Sequence, residues 1–492
     1  LSVQGQENEL HQLRLLRPAH DNEAVFRVAT TLQAEDTDPA GFGLYQAADY
    51  DDLIDHPVEL GDFRQLTFAA CGVTHDIVFT GDCHFDEQRV IDDLQRICEY
   101  QIRFFGEPPP MPRYLFMVMV VDTGYGGLEH RSSTALMITR ENLPVTGSEA
   151  ISEPYLNFLG LCSHEYFHTW NVKRIKPARF VPYRLEAESP TELLWFFEGM
   201  TSYYDDLVLV RAGLIDEERY FGLLANTLTR VRRGPGRLVQ TVTDSSLDAW
   251  HKFYKKDENS PNAIVSYYAK GALIAVCLDA LMRQSSNGKV TLDDLMRALW
   301  AQWLEDGMGI DERAPQELAC RLAGADLSEF FDLALYSTRE LPVDTALSSL
   351  GVQLNWRART SATDMGGAAS AVSKDKVTND LSDSPWLGAS VDDAPGGVRI
   401  TQVLSASPAE RAGLAAGDLL VALNRLSVSK TDIDNHLQRF ADLEQLPIHF
   451  FRLGQLHESN LPLERAPDDT AELAVADADR LGEWLHDERL KA

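Results

Sequence analysis

The chain carries His164-Glu165-Tyr-Phe-His168 and, thirty positions after the second His, Glu198 within Leu194-Trp-Phe-Phe-Glu198-Gly199. No other feature constrains the fold as strongly. On a helix, residues four apart leave the same face, so both imidazoles point at one place. Two neutral imidazoles at that separation can grip one Zn²⁺. Glu165, beside the first His, can take a proton from a zinc-activated water. A hydrolytic zinc site needs a third protein ligand and one open position. Glu198, on a second helix, is the candidate for the third ligand. The fold must therefore bring two helices together at these three side chains.

The surroundings favour a metal over a solvated surface. Leu156, Leu159, Leu161 and Phe167 make the first segment a largely buried helix. The second, read as one helix from Glu192 to about Ala212, is apolar around Glu198 (Leu193, Leu194, Trp195, Phe196, Phe197). Imidazoles and carboxylates in such places need partners, because unpaired polar groups are costly in low dielectric. A single divalent cation per chain supplies that compensation.

A chain of 492 residues is too long for one core and implies two to four domains. It carries 75 acidic against 45 basic residues, a net charge of −30, which disfavours nucleic acid and anionic membranes as partners. No run of eighteen apolar residues exists, so no transmembrane segment is expected. The six Cys form no C-x-x-C pair, and Cys98, Cys162 and Cys277 fall in apolar helical patterns as small core residues. The start, Leu1-Ser-Val-Gln, reads as a processed or trimmed end. A soluble protein is expected, with the choice between cytoplasm and periplasm open.

Along the chain, residues 1–85 read as a strand-rich N-terminal part, with runs such as Glu23 to Leu32 and Thr67 to Val73 alternating apolar and polar. Asp86 to Phe105 is an amphipathic helix, and Tyr114 to Val121 a buried strand. Residues 86–350 form the expected catalytic domain, mostly helical beyond 151, with a capping box at Thr291 to Asp294. Residues 351–385 read as a linker or mobile loop, 386–465 as a separate small domain, and 466–492 as an acidic tail with a helix from Ala474 to Leu490.

His164-Glu-Tyr-Phe-His-Thr-Trp170-Asn171-Val-Lys173-Arg174, Leu194 to Tyr204, and Ser266-Tyr267-Tyr268-Ala-Lys270-Gly271 together resemble the glycyl aminopeptidase family of gluzincin zinc metallopeptidases, relatives of aminopeptidase N. Asp49-Tyr-Asp-Asp-Leu53 and Gly126-Gly-Leu-Glu-His130 extend the resemblance, which spans most of residues 45 to 465. It implies an α+β multidomain fold: a strand-rich N-terminal part, a thermolysin-like, mostly helical catalytic domain, and a C-terminal domain. It implies one Zn²⁺ per chain on His164, His168 and Glu198, with Glu165 as general base. It implies that Tyr268 donates to the oxyanion, with Tyr267 as its competitor one position away. It implies that Glu129 pairs with the α-ammonium of a peptide with a free N-terminus, while Gly126 and Gly127 let the substrate backbone approach. Small N-terminal residues, Gly or Ala, are the implied preference.

Within 386–465, Trp386-Leu-Gly-Ala389 and Ala412-Gly-Leu-Ala-Ala-Gly-Asp418 resemble a PDZ domain. Leu387, Gly388 and Ala389 then correspond to the loop whose backbone N–H groups cradle a peptide or protein C-terminus. That pattern carries a large apolar residue where Ala389 stands, so a structural domain packed on the catalytic unit is the alternative. Two rivals to an aminopeptidase remain: a gluzincin endopeptidase, which would not need Glu129, and a catalytically idle PDZ adaptor.

Overall fold

The computed structural model describes residues 3–18, 26–369 and 381–486. Parts of three sequence expectations lie outside them: the start of the Glu23 run, the middle of the 351–385 segment and the last turn of the tail helix.

The order of elements follows the expected α+β plan: strands first, helices in the middle, and a small strand-rich unit towards the C-terminus. The first part holds a three-stranded antiparallel sheet of His11–Leu15, Gly43–Ala47 and Gln33–Thr37. Its own small core is Leu32, Tyr45 and Ala47. Arg27–Ala29 and Glu59–Gly61 pair beside it.

A five-stranded mixed sheet comes next. Its order is Arg64–Ala70, Val73–Thr80, Arg113–Val121, Ser133–Thr139 and Gly126–Glu129. Val73–Thr80 and Arg113–Val121 run parallel. Parallel neighbours need a long crossover, and the helix Glu87–Phe105 makes it. Its apolar stripe (Val90, Leu94, Ile97, Cys98, Ile102, Phe105) is buried, as its periodicity predicts. Gly126–Glu129 closes the sheet as an edge strand, antiparallel to Ser133–Thr139, with Glu129 opposite Thr134.

Helices Glu153–Phe167, Gly199–Arg211 and Tyr267–Ser285 form the centre of the second half. They share one continuous core with the five-stranded sheet. The stretch 260–285 is long and apolar enough to cross a bilayer by composition, but 78% of its apolar window is buried inside the molecule, as in a core helix.

The structure departs from the sequence reading in three places. The part ending at 85 does not stop at a structural break: Arg64–Ala70 and Val73–Thr80 belong to the sheet of the following part. The segments read as linker and tail are built into the catalytic core. Val352–Arg357 pairs antiparallel with Thr470–Val475, and Gly367–Ala368 adds a third strand. The tail helix, Ala478–Leu485, buries Leu481, Trp484 and Leu485, and the Trp484 indole donates to the Tyr203 hydroxyl at 2.9 Å. Alternation in Thr-Ala-Glu-Leu-Ala-Val marks that strand, but the acidic composition around it hides the signal. The second ligand helix is not continuous either. A short turn, Leu194–Phe197, meets Gly199–Arg211 at Glu198.

Residues 387–463 carry a separate core centred on Val398, Ile400, Leu420, Leu437 and Ile448. Their sheet runs Ala389–Ala394, Gly397–Val403, Leu419–Leu423, Gln445–Arg452, Gln455–Pro462. Ala389–Ala394 is its outer edge, and the helix Ile433–Arg439 turns Ile433 and Leu437 into the core. This unit is tied to the rest by Asn262, whose side chain bonds the Val403 carbonyl and the Ser405 N–H, each at 2.8 Å. Arg359 adds an ion pair to Asp434 at 2.6 Å.

His75, on the strand Val73–Thr80, is fully buried against the helix Glu153–Phe167. Its Nδ1 donates to the Val73 carbonyl at 3.0 Å and its Nε2 accepts from the Tyr166 hydroxyl at 2.8 Å. Burial holds its pKa down, at about 4. Between about pH 6.5 and 4 the unfolded chain takes a proton there and the folded one does not, so stability is full above that window and falls as pH falls through it. The thermal unfolding midpoint should drop across this window. His75→Gln should remove a share of that drop worth roughly 3 kcal/mol, measured by unfolding scans at closely spaced pH.

Candidate active site

The helix Glu153–Phe167 opens on a Ser152 cap and a Pro at its first turn. It presents His164 on its last turn, with His168 as its C-terminal cap. Glu198 stands at the joint of the second ligand segment. One of its carboxylate oxygens lies 3.2 Å from His164 Nε2 and 3.4 Å from His168 Nε2. The donor atoms of His164, His168 and Glu198 all fall within 4.8 Å of one another. The two imidazole planes meet at 86°, with centroids 4.7 Å apart.

Each ring is held through its other nitrogen. His164 Nδ1 donates to Asp205 at 2.9 Å, and His168 Nδ1 donates to the Asn171 carbonyl at 2.7 Å. Both Nε2 atoms therefore face Glu198 and are the nitrogens left for a cation. The Asn171 amide also donates to the Phe197 carbonyl and the Thr201 hydroxyl, each at 3.3 Å, linking the exit of one ligand helix to the other. Burial works against a charge on Glu198, but the two imidazoles overcome it and hold its carboxyl well below the usual range. This cluster of two imidazole nitrogens and one carboxylate matches the donor set of an open zinc site.

Glu165 is buried beside these groups. Burial pushes its pKa up to about 7, against the opposing pull of His168 and His164. Its Oε2 is buried and has no hydrogen-bond partner among the described residues. Glu129, Glu165 and His168 also bring their polar atoms within 4.8 Å of one another. His168 thus belongs to both clusters, and Glu129 faces the metal-site helix from the edge strand. Gly127 passes directly over Glu165, so closely that a Cβ there would overlap the Glu165 carboxyl. Gly126, paired with Met137, opens the edge strand and meets no such obstruction.

The residues flanking this strand are locked. Arg131 pairs with Asp51, and its N–H donates to Asp55 at 2.8 Å. Lys173 reaches Asp55 at 2.8 Å. The buried Arg174 donates to the carbonyls of Thr169, Arg131 and Pro110. The Asp49-to-Leu53 segment and the residues after His168 therefore tie the strand to the metal helix.

Tyr268 lies on the first turn of Tyr267–Ser285. Its ring stacks on His164 at 6.2 Å between centroids. Tyr267 is 1% exposed and packs on Phe253 at 4.8 Å. Of the two, Tyr268 is the one facing the metal cluster. In the small C-terminal unit, the Leu387 side chain lies in the core and Gly388 has φ +77° with Ser407 packed against it, while Ala389 opens the edge strand.

Asp205 went unread in the sequence. Its signal is spacing: it follows Glu198 by seven residues, two helical turns on one face.

Residues 157–274 match the family described as M61 glycyl aminopeptidase, residues 1–62 its N-terminal domain, and residues 399–443 a PDZ domain. A solved aminopeptidase N family protein from Idiomarina loihiensis is 38% identical and covers 98% of this chain and 80% of its own, with a TM-score of 0.91. The chain belongs to the M61 glycyl aminopeptidase family. It is a hydrolase of the aminopeptidase kind carrying a PDZ domain. An M1 zinc metallopeptidase from Deinococcus radiodurans is a distant relative in shape only: 14% identity over 65% of this chain and 63% of that one, TM-score 0.44. No curated protein sequence matches.

The contact of Gly127 with Glu165 gives a direct test. Gly127→Ala should displace the Glu165 carboxyl and lower kcat/KM by about 100-fold, a loss of roughly 3 kcal/mol of transition-state stabilisation. Thermal stability should stay near that of the parent, because position 127 is on an exposed strand edge.

Proposed function

We propose that this peptidase removes small N-terminal residues, Gly or Ala, from peptides with a free amino terminus. The observation that carries the reading is the sharing of His168 between two clusters: His164, His168 and Glu198 on one side, Glu129 and Glu165 on the other. His164, His168 and Glu198 are the proposed ligands of one Zn²⁺ per chain. Zinc, when bound, supplies Lewis acidity towards the scissile carbonyl and a lowered pKa for water.

Glu165 accepts the proton of the attacking water and passes it to the leaving amine. Its raised pKa suits both steps, since a group poised near the working pH can take a proton and give it back. The Tyr268 phenol donates to the carbonyl oxygen as negative charge builds there. Glu129 pairs with the substrate α-ammonium, which fixes the distance from the amino terminus to the bond cleaved. Gly126 and Gly127 keep the edge strand free of side chains that would hold an extended substrate away.

The preference for small residues rests on the family alone. The proposed division of the chain is a catalytic unit interrupted by the PDZ domain. In that domain, the backbone of Leu387, Gly388 and Ala389 is the proposed cradle for a peptide or protein C-terminus. The open edge of Ala389–Ala394 supports that reading.

Glycyl and alanyl chromogenic amides test the whole assignment. A zinc chelator should abolish hydrolysis and added Zn²⁺ restore it. Glu165→Gln should lower kcat by about 10³-fold while the protein still binds zinc. Glu129→Gln should lower kcat/KM on free amino termini by about 100-fold. Full activity of that variant on N-blocked peptides would instead identify an endopeptidase.

A further inference from the structure

The Tyr268 ring packs against Tyr267 at 4.7 Å, Phe253 at 5.6 Å and His164 at 6.2 Å, with interplanar angles of 29°, 28° and 29°. With the ring fixed, the direction of its hydroxyl proton is what remains to be set. The Tyr254 phenol lies 3.0 Å from that hydroxyl, and the Tyr267 phenol interacts with both. A phenol has one proton to donate. If Tyr268 spent its proton on Tyr254, it would have none for a substrate oxygen. If Tyr254 donates instead, the Tyr268 proton points elsewhere, and accepting a hydrogen bond makes Tyr268 a stronger donor.

We propose that Tyr254 is a positioning residue, donating to the Tyr268 oxygen and so aiming the Tyr268 proton at the substrate carbonyl. The inference rests on the reading of Tyr268 as the oxyanion donor.

The local backbone supports the role. Residues Ala249–Phe253 form a single π-helical turn, a wider turn that shifts the side chains following it. Tyr254 comes immediately after, its N–H bonded to the Ala249 carbonyl at 3.0 Å. The same turn delivers Phe253 onto Tyr267 and Tyr268. Trp250 sits 6.0 Å from the Tyr254 ring. Tyr254 is 57% exposed, so its phenolic oxygen does no work for the core.

A double-mutant cycle on a glycyl chromogenic amide, with zinc-loaded full-length protein, tests the idea. Tyr254→Phe should lower kcat about tenfold with KM within about twofold, as expected if the bond it removes aims a Tyr268 donation made only in the transition state. Tyr268→Phe should lower kcat by about 10²- to 10³-fold. The double variant should be no slower than Tyr268→Phe alone, because Tyr254 acts through that oxygen. The inference is overturned if Tyr254→Phe keeps the parent kcat, if it raises KM alone, or if it costs the same factor again in the Tyr268→Phe background. A Tyr268→Phe variant with parental kcat would remove the oxyanion reading itself, and this inference with it. An impaired Tyr268→Phe beside a normal Tyr254→Phe would remove only the role of Tyr254.

Discussion

The backbones of two helices touch at Gly199 and Gly271, and the catalytic arrangement depends on that contact. A Cβ on Gly199 would lie 2.5 Å from the Gly271 Cα, and one on Gly271 would lie 2.7 Å from both the Gly199 Cα and the Trp195 carbonyl. No side chain fits there, so the helices approach as closely as backbones can. Glu198 precedes the first glycine and Tyr268 lies three residues before the second. The contact brings both to His164 from the same side of the core. Any larger residue would push the helices apart and separate the carboxylate from the imidazoles.

Around that contact the molecule spends buried polar groups on orientation. Asp205, Asn171 and Arg174 are all within the helical core, and each uses its hydrogen bonds to fix a ligand or the exit of a ligand helix. Burying such groups without partners would cost several kcal/mol each. The bonds of Asp205 and Asn171 to the Nδ1 atoms hold each ring in its own orientation, the two planes at 86°. Glu165 is different, because its buried Oε2 is left without a partner on the very side chain beside the two imidazoles. In the proposed role of Glu165 as general base that free oxygen would meet the water, and the same burial raises its pKa.

Local spacing made much of the site readable. His164, Glu165 and His168 lie within one turn and a fraction, and the apolar run around Glu198 marked it as a buried carboxylate needing a cation. The fold class was readable too, because strand alternation, helix periodicity and the Gly-Asp signature of the PDZ domain are all short-range patterns. What escaped the sequence reading is non-local. The strands Val352–Arg357 and Thr470–Val475 pair across the whole inserted domain, so neither half looks like part of a sheet on its own. The break at Glu198 is invisible in an unbroken apolar pattern. At the break the Phe197 carbonyl accepts from the Thr201 hydroxyl and from the distant Asn171 amide. Asp205 was readable in principle, since it shares a helix face with Glu198, but only once Glu198 was taken as a ligand.

The insertion of the PDZ domain has a mechanical consequence. Both of its ends return to one small sheet in the catalytic core, and Pro385 and Arg465 bridge at its neck. A unit held at both ends loses most of the freedom that a single tether would leave. One further attachment, Asn262, lies in the helix Ser260–Ala263, four residues before the Ser266 cap of the helix carrying Tyr268. The strand Gly397–Val403 is bonded there through its last carbonyl. The PDZ sheet and the tyrosine that faces the metal cluster are therefore separated by one short, hydrogen-bonded segment, so the domain buttresses the start of the Tyr268 helix.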